Sequence, residues 1–261
     1  MTKIIHITDT HLVEANHLLY GLDPNQRLGR CIDSILQEHA DADLCVVTGD
    51  LTHAGHPQAY QQLAQQLSRL PMPVHPIIGN HDQRDLFREH FPHTPTDAHG
   101  FIQYRVDIGG FNALFLDTHA PGVSYGVFCE QRSQWLAEQL TRDPRPALLF
   151  MHHPPFAVGI PSMDNISLLD TVPFTSAIQP HLDRIRHIFF GHLHRPISGS
   201  WRGISFSTLR GTNHQVALDL RAQGKVPGSH EPAQYGVVLL SEEQITVHLH
   251  DFEDNSPRFW L

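Results

Sequence analysis

Histidines number 22 in this chain, more than the 18 lysines and arginines combined. Imidazole is the commonest metal ligand and the usual proton carrier near neutral pH, so position decides what they do. Acids, amides and imidazoles gather in five short segments: Asp9-Thr10-His11, Gly49-Asp50, Gly79-Asn80-His81-Asp82, His152-His153-Pro154-Pro155 and Gly191-His192-Leu193-His194. A carboxylate and an imidazole two residues apart, as in Asp9 and His11, reach the same ion from an extended turn. Glycine before Asp50 lets the backbone pass close to such a site.

Taken singly, each segment has a plainer explanation. Asp-x-His pairs and Gly-Asp pairs are common turn chemistry. Asn80-His81-Asp82 reads equally as a helix N-cap before Gln83 to His90. Together they offer oxygen and nitrogen donors and no sulfur, which suits Fe, Mn, Zn or Co better than a soft-metal site. A single tetrahedral zinc uses four ligands. The donors here exceed that, and a carboxylate can bridge, so two ions are the economical reading.

The elements that position these segments are legible too. Lys3 to Thr8, Asp43 to Thr48, Val74 to Ile78, Ala147 to Met151 and Ile185 to Phe190 are short apolar or β-branched runs, and one chemical segment follows each. Ligands of open α/β sheets gather at the carboxyl ends of strands. Asp23-Pro24 starts a helix whose apolar face is Leu28, Ile32, Ile35 and Leu36. Tyr60, Leu63, Ala64, Leu67 and Leu70 mark a second. Strand–helix alternation in this half argues for a largely parallel sheet with crossover helices. Further along, two strands are expected around Gly109-Gly110, a helix over Glu130 to Leu140, a loop over Pro154 to Pro173, one strand over Trp201 to Thr208 and a loop over Arg221 to Gln234. A terminal hairpin is expected from Tyr235 to Leu240 and Gln244 to His250.

Composition narrows the class. A formal charge of -9 and the lack of a basic stripe disfavour a long nucleic-acid partner. Three scattered cysteines make no disulfide framework, and Cys31 and Cys45 read as small core residues. No membrane-length apolar window or signal peptide is visible, so a cytoplasmic protein is expected, not a membrane one. A homo-oligomer is left open.

In this order the segments resemble the signature of the calcineurin-like metallophosphoesterase superfamily: D-x-H, GD, GNH[DE], H and GHxH. Longer segments are similar to the bacterial class III cyclic-nucleotide phosphodiesterases and the glycerophosphodiesterases: His6 to His11, Leu19-Tyr20-Gly21, Phe150 to Pro155 and Ser207 to Gln215. The resemblance implies a four-layer α/β/β/α sandwich with mixed sheets, formed by residues 1–261 as a single domain. The metal motifs span 9–194 and a C-terminal hairpin lies at about 235–251. It implies that Asp9, His11 and His194 hold one metal, that Asn80, His152 and His192 hold another, and that Asp50 bridges. Asn80 and His81 would meet the phosphate, with His81 and Asp50 as catalytic residues. His53 and Tyr20 would line the substrate pocket, and His214 would stand behind the ligands. His153 is read as packing, because adjacent strand residues face opposite ways.

Two cations lower the pKa of a bound water to near neutrality. The implied reaction is hydrolysis of a small phosphodiester, a 3',5'-cyclic nucleotide or glycerophosphodiester. Protein phosphatases of the superfamily follow the bridging Asp with an Asp-Arg pair that grips a dianionic monoester. Here Leu51-Thr52-His53-Ala54-Gly55 stands there, which favours a diester over the alternative, a phosphomonoesterase or nucleotidase. The glycerophosphodiesterase pattern has Asn where His53 stands, a departure from it. A metal-free binding scaffold would have lost ligands; none is lost here.

Overall fold

The computed structural model describes residues Met1–Leu261. In chain order the elements are β1 (Thr2–Ile7), α1 (Pro24–Glu38), β2 (Leu44–Thr48), α2 (Pro57–Leu67), β3 (Val74–Ile77), α3 (Arg84–His90), β4 (Tyr104–Ile108) and β5 (Phe111–Phe115). There follow α4 (Glu130–Arg142), β6 (Ala147–Met151), α5 (Pro161–Asp164), α6 (Val172–Ile178), a 3-10 turn (Gln179–His181), β7 (Ile185–Phe190), β8 (Ile197–Trp201) and β9 (Ile204–Thr208). The chain closes with β10 (Gln215–Val216), β11 (Gly228–Ser229), β12 (Tyr235–Leu240) and β13 (Ile245–His250).

Two mixed sheets form, ordered β13-β12-β1-β2-β3 and β4-β5-β6-β7-β9-β8. Strands β1, β2 and β3 are parallel, as are β5, β6, β7 and β9; β12, β13, β4 and β8 pair antiparallel. Side-chain alternation shows how the layers stack. Ala113, Phe115, Leu148, Phe150 and Phe189 join the core that also holds β1, β2, α1 and α2. Their neighbours Leu114, Leu116, Leu149, Met151, Ile188 and Phe190 join a second core with α4 and α6. The sheets therefore face each other with helices outside both, the four-layer sandwich expected. Phe115, Phe150 and Phe189 stack across three adjacent strands at 4.9 and 4.7 Å.

Local chemistry explains the boundaries. Asp23 caps α1 by accepting from Gln26 N at 3.1 Å, and Pro24 occupies its first turn. Strand β6 is buried at every position, because helices cover one face and the other sheet covers the second. Cys31 and Cys45 are buried in the core. The terminal hairpin completes the first sheet by pairing β12 with β1, leaving β13 at the edge.

Three expectations are corrected. Trp201 to Thr208 is not one strand: it holds the end of β8, a turn at Arg202-Gly203 with φ of 53° and 84°, and β9. The apolar run hid Gly203 as a turn signal. The segment 154–173 is not all loop, since Pro161 and Pro173 sit in the first turns of α5 and α6. The segment 221–234 contains β11, paired with β10. No helix is long and apolar enough to cross a membrane.

One buried group makes stability depend on pH. His187 on β7 is bonded through Nδ1 to Ser205 Oγ at 2.7 Å and through Nε2 to Ser207 Oγ at 2.8 Å. Burial lowers its pKa to about 4. The unfolded chain takes this proton near 6.5, so below that pH it binds more protons than the fold does and stability falls. The contribution is intact above pH 6.5 and is lost as pH drops toward 4, on the order of 3 kcal/mol. Urea midpoints at pH 7.5 and 4.5 should therefore separate more for the wild type than for His187→Gln; equal separations would remove His187 as a cause.

Candidate metal centre

The sheet pairing that builds the fold also builds the site. Beyond the ends of β1 and β2 the two chains stay side by side: Asp9 N donates to Gly49 O, His11 N to Asp50 O at 2.9 Å, Leu12 N to Leu51 O and His53 N to Leu12 O. This extension places the Asp9–His11 turn against Asp50. Strand β7 ends at Phe190; the missing side chain of Gly191, next in the chain, lets it approach Thr8 and Thr48, and His192 N donates to Asp9 Oδ1 at 3.1 Å.

One atom each from Asp9, His11, Asp50 and His194 lies within 4.8 Å of the others, and all four residues are buried. His194 Nε2 is 3.1 Å from His11 Nε2 and 3.5 Å from Asp9 Oδ1. Asp50 lies between two groups: Oδ2 is 3.5 Å from His11 Nε2, while Oδ1 is 3.3 Å from His152 Nε2. On that second side His152 Nε2 is 3.2 Å from Asn80 Oδ1, and the His192 ring centroid is 5.1 Å from that of His152.

The imidazoles are oriented from behind. His152 donates Nδ1–H to Thr48 O at 2.8 Å, and His194 donates Nδ1–H to His214 O at 2.8 Å. Each therefore turns Nε2 inward, as a ligand nitrogen must. His192 Nε2 is buried with no hydrogen-bond partner, an orphan that a metal bond would satisfy. Burial holds His11 and His192 well below the usual imidazole range, so both are neutral with free lone pairs. Burial alone would raise Asp50, but His152, His81 and His11 outweigh it and keep the carboxylate charged. The donor set thus fits a divalent metal centre.

Backbone strain concentrates here. Six of the eight non-glycine residues with positive φ belong to the expected site: Asp9, His11, Tyr20, Asp50, His192 and His194. Such conformations cost on the order of 1–2 kcal/mol each and persist where surrounding contacts enforce them.

The remaining residues singled out in the sequence surround this cluster. His81 N donates to Asp50 Oδ1 at 2.9 Å, and His81 Nδ1–H donates to His53 O at 2.7 Å. The His53 ring stacks on His81 at 4.9 Å. Tyr20 is 60% exposed, so it is not core packing; its ring meets His214 edge-on at 4.6 Å. The His153 ring packs against His192 at 4.6 Å and His152 at 4.7 Å between centroids, and its nitrogens are engaged elsewhere, Nδ1 against Thr118 Oγ1 at 2.8 Å and Nε2 against Ser124 O.

Asp82 had no role in the sequence reading, although it closes the Gly79–Asp82 segment. Its carboxylate accepts from Gly79 N, Leu51 N, Thr52 N and the Tyr60 hydroxyl, clamping the Asp50 and Asn80 loops together. Burial and the neighbouring Asp50 push its pKa up to about 6. Arg84, Asp117 and Arg132 were also missed. Arg84 forks onto Asp117 at 3.0 and 3.1 Å, and both arginines donate to His119 O.

A doubly mixed sandwich carrying this cluster at its strand ends defines a metallophosphoesterase, and residues 2–196 match the family described as calcineurin-like phosphoesterase. The chain belongs to that family. Over 99% of its length it is 42% identical to a probable cyclic nucleotide phosphodiesterase of Rhodopseudomonas palustris, covering 96% of that protein. It is 33% identical over 82% of its length to a glycerophosphodiester phosphodiesterase of Enterobacter lignolyticus, covering 78% of it. Its fold matches a purple acid phosphatase from yellow lupin (Lupinus luteus) with a TM-score of 0.68 at 14% identity, covering 98% of this chain and 52% of that one. This chain spans about half the length of the lupin protein, and that likeness is one of fold.

Close packing at Gly79 gives a test. A Cβ there would collide with the Asp50 carboxylate and backbone N, and would lie 2.7 Å from His152 Cε1. Displacements near 1 Å at a reacting centre cost about a hundredfold in rate. Gly79→Ala should keep native circular dichroism yet lose metal stoichiometry and about that factor of turnover; full activity would mean that the loops have slack.

Proposed function

We propose that this protein is a cytoplasmic phosphodiesterase that hydrolyses small phosphodiesters, of the 3',5'-cyclic nucleotide or glycerophosphodiester type, at a centre of two divalent or mixed-valence ions (Fe, Mn, Zn or Co). Asp9, His11 and His194 would hold one ion, and Asn80, His152 and His192 the other. Asp50 would serve both, and the observation that carries the reading is its split orientation, one oxygen toward His11 and the other toward His152. Such a pair supplies Lewis acidity and a water activated near neutral pH. The free cysteines, two of them buried, suit a reducing compartment.

His81 is the protein group placed to move a proton. Its Nδ1–H is committed to His53 O, which directs Nε2 into the cavity beside Asn80. With a second proton on Nε2 it can bond a phosphoryl oxygen or protonate the departing alkoxide. Asn80 lines the same space.

Preference for a diester rests on where the cations are. The larger cavity at the cluster has no lysine or arginine in its lining. Arg84, which lines the adjoining space, is held by Asp117. A dianionic monoester would meet no free cationic side chain, whereas a diester carries one charge fewer. The relatives' names point the same way, since both are phosphodiesterases.

Metal-stripped protein reloaded with Mn should cleave bis(p-nitrophenyl) phosphate well and p-nitrophenyl phosphate weakly. The reverse preference would move the assignment to a phosphomonoesterase, and no turnover with metal bound would remove the hydrolytic reading. His81→Ala should lower kcat by roughly 10²–10⁴-fold. If His81 is the general acid, an alkyl ester with a poor leaving group should suffer more than the p-nitrophenyl diester. Equal losses would restrict His81 to holding the phosphoryl oxygens.

A further inference from the structure

The loop that backs the metal cluster is held by side chains, not by a strand ladder. Gly211 lies so close to it that a Cβ there would be 2.8 Å from Asp9 O and 3.3 Å from His194 Nδ1. Three residues on, His214 O takes the Nδ1–H of His194 at 2.8 Å, the bond that turns Nε2 of that ring toward Asp9 and His11. Yet residues 210–214 make no backbone–backbone hydrogen bond. Gln215 closes the loop on itself, accepting from Gly211 N at 2.9 Å and donating to Gly211 O at 2.8 Å.

Few bonds tie this loop to the rest of the molecule. Arg210 reaches Gln234 at 3.4 Å, Glu231 at 3.3 Å and Asp251 at 3.5 Å, and Asn213 Nδ2 reaches Leu19 O at 3.5 Å. All are longer than a well-formed N–H···O bond. Arg27 Nε donates to Thr212 O at 2.9 Å, the shortest of the set, and that carbonyl has no other hydrogen-bond partner. Arg27 stands in the first turn of α1 and is itself held by the chain beyond β13. Glu253 meets Arg27 Nη2 with one oxygen at 2.8 Å and Arg30 Nη2 with the other at 2.7 Å. Three residues apart, the two arginines share a helix face. Phe252, next to Glu253, packs against the core with its ring stacked on Tyr235 at 6.1 Å.

We infer that Arg27 is a positioning residue for the ion assigned to Asp9, His11 and His194: it acts through Thr212 O and the loop on the His194 ring, and Glu253 positions Arg27 in turn. This rests on the reading of His194 as a metal ligand. A guanidinium suits the task, because its planar fork directs Nε at a carbonyl while Nη2 meets a carboxylate. Arg30 shares that carboxylate and makes no bond to the loop, so it separates a role in holding the C-terminal segment from a role at the ion. The residues assigned to the other ion, Asn80, His152 and His192, follow different strands, and His152 is oriented by Thr48 O. The influence of Arg27 is therefore confined to one ion of the two.

Calorimetric titration of the metal-stripped full chain with Mn reads this directly. The wild type should show two binding steps, and the step lost in His194→Ala marks the ion concerned. Arg27→Met keeps the length of the stem and removes the guanidinium. It should weaken that step by about tenfold, the scale expected when a partner behind a metal ligand is lost, and leave the other step unchanged. Glu253→Gln should weaken the same step by a smaller factor, and Arg30→Met should bind both ions as the wild type does. Wild-type binding of both ions by Arg27→Met, a loss spread equally over both steps, or the same loss in Arg30→Met would overturn the inference; the same criteria apply to Glu253→Gln where Arg27→Met does not fold. A wild type that binds fewer than two ions, or a His194→Ala chain that loses none, would instead overturn the metal assignment beneath it.

Discussion

Parallel pairing of β1 and β2, carried past the ends of the regular strands, is the constraint on which the rest of the site depends. Four backbone hydrogen bonds beyond Ile7 and Thr48 keep residues 9–12 and 49–53 in register. That register sets Asp9, His11 and Asp50 side by side. The extension is not free to relax, because Asp82 clamps it from below through Leu51 N and Thr52 N. Gly191 and Gly211 bring the β7 and β9 ends against it at distances that no side chain would tolerate. Positive φ at Asp9, His11, Asp50, His192 and His194 is the conformational consequence. Strain of this kind is offset by the stacked aromatic core between the sheets and by helices that cover both outer faces.

Electrostatics imposes a second demand, in the opposite direction. Asp9 and Asp50 are fully buried carboxylates, and burial disfavours the charge on each. Backbone N–H groups of His81 and His192 and the Thr8 hydroxyl point at their oxygens. The nearest basic side chains are imidazoles, and burial drives His11 and His192 to neutrality. His152 alone is driven upward, to about 9: burial opposes its charge but the two carboxylates more than compensate. A site with two buried acids, neutral imidazoles at His11 and His192 and an unpartnered Nε2 is arranged for positive charge brought from outside. That is why the donor types, more than their number, identify a metal centre.

Much of this was legible in the sequence because chemistry and topology coincide. Each chemical segment follows a short apolar run, and those runs proved to be β1, β2, β3, β6 and β7 with boundaries within a residue or so. Asp23-Pro24 announced its helix through capping chemistry that the structure uses. What stayed hidden depends on contacts distant in sequence. The β8–β9 hairpin was masked by an apolar run in which Trp201 and Ile204 are partners rather than successive members of one strand. Tyr20, expected in the substrate pocket, is 60% exposed and lines the larger cavity at the cluster. Asp82 is local in sequence to the site, but its function is to bind the loop after a different strand. Arg84 and Arg132 carry no motif at all and meet through Asp117, His119 O and the ring of Phe101.

The unused histidine of the His152-His153 pair connects these levels. Both stand just past the end of β6, and only His152 brings its Nε2 to Asp50, at 3.3 Å. His153 instead bonds Thr118 through Nδ1 and approaches Ser124 O at 3.3 Å through Nε2. Ser124 is one of three residues shared by the two cavities. Beside it, Gly126 bridges to Leu168 and sits against His153 so closely that a Cβ would collide with that ring. The segment 118–127 is therefore tied to the same strand end that presents His152. A change that moves that strand end alters the metal cluster and the width of both cavities together, so the segment 118–127 has little freedom to drift independently of the chemistry it borders.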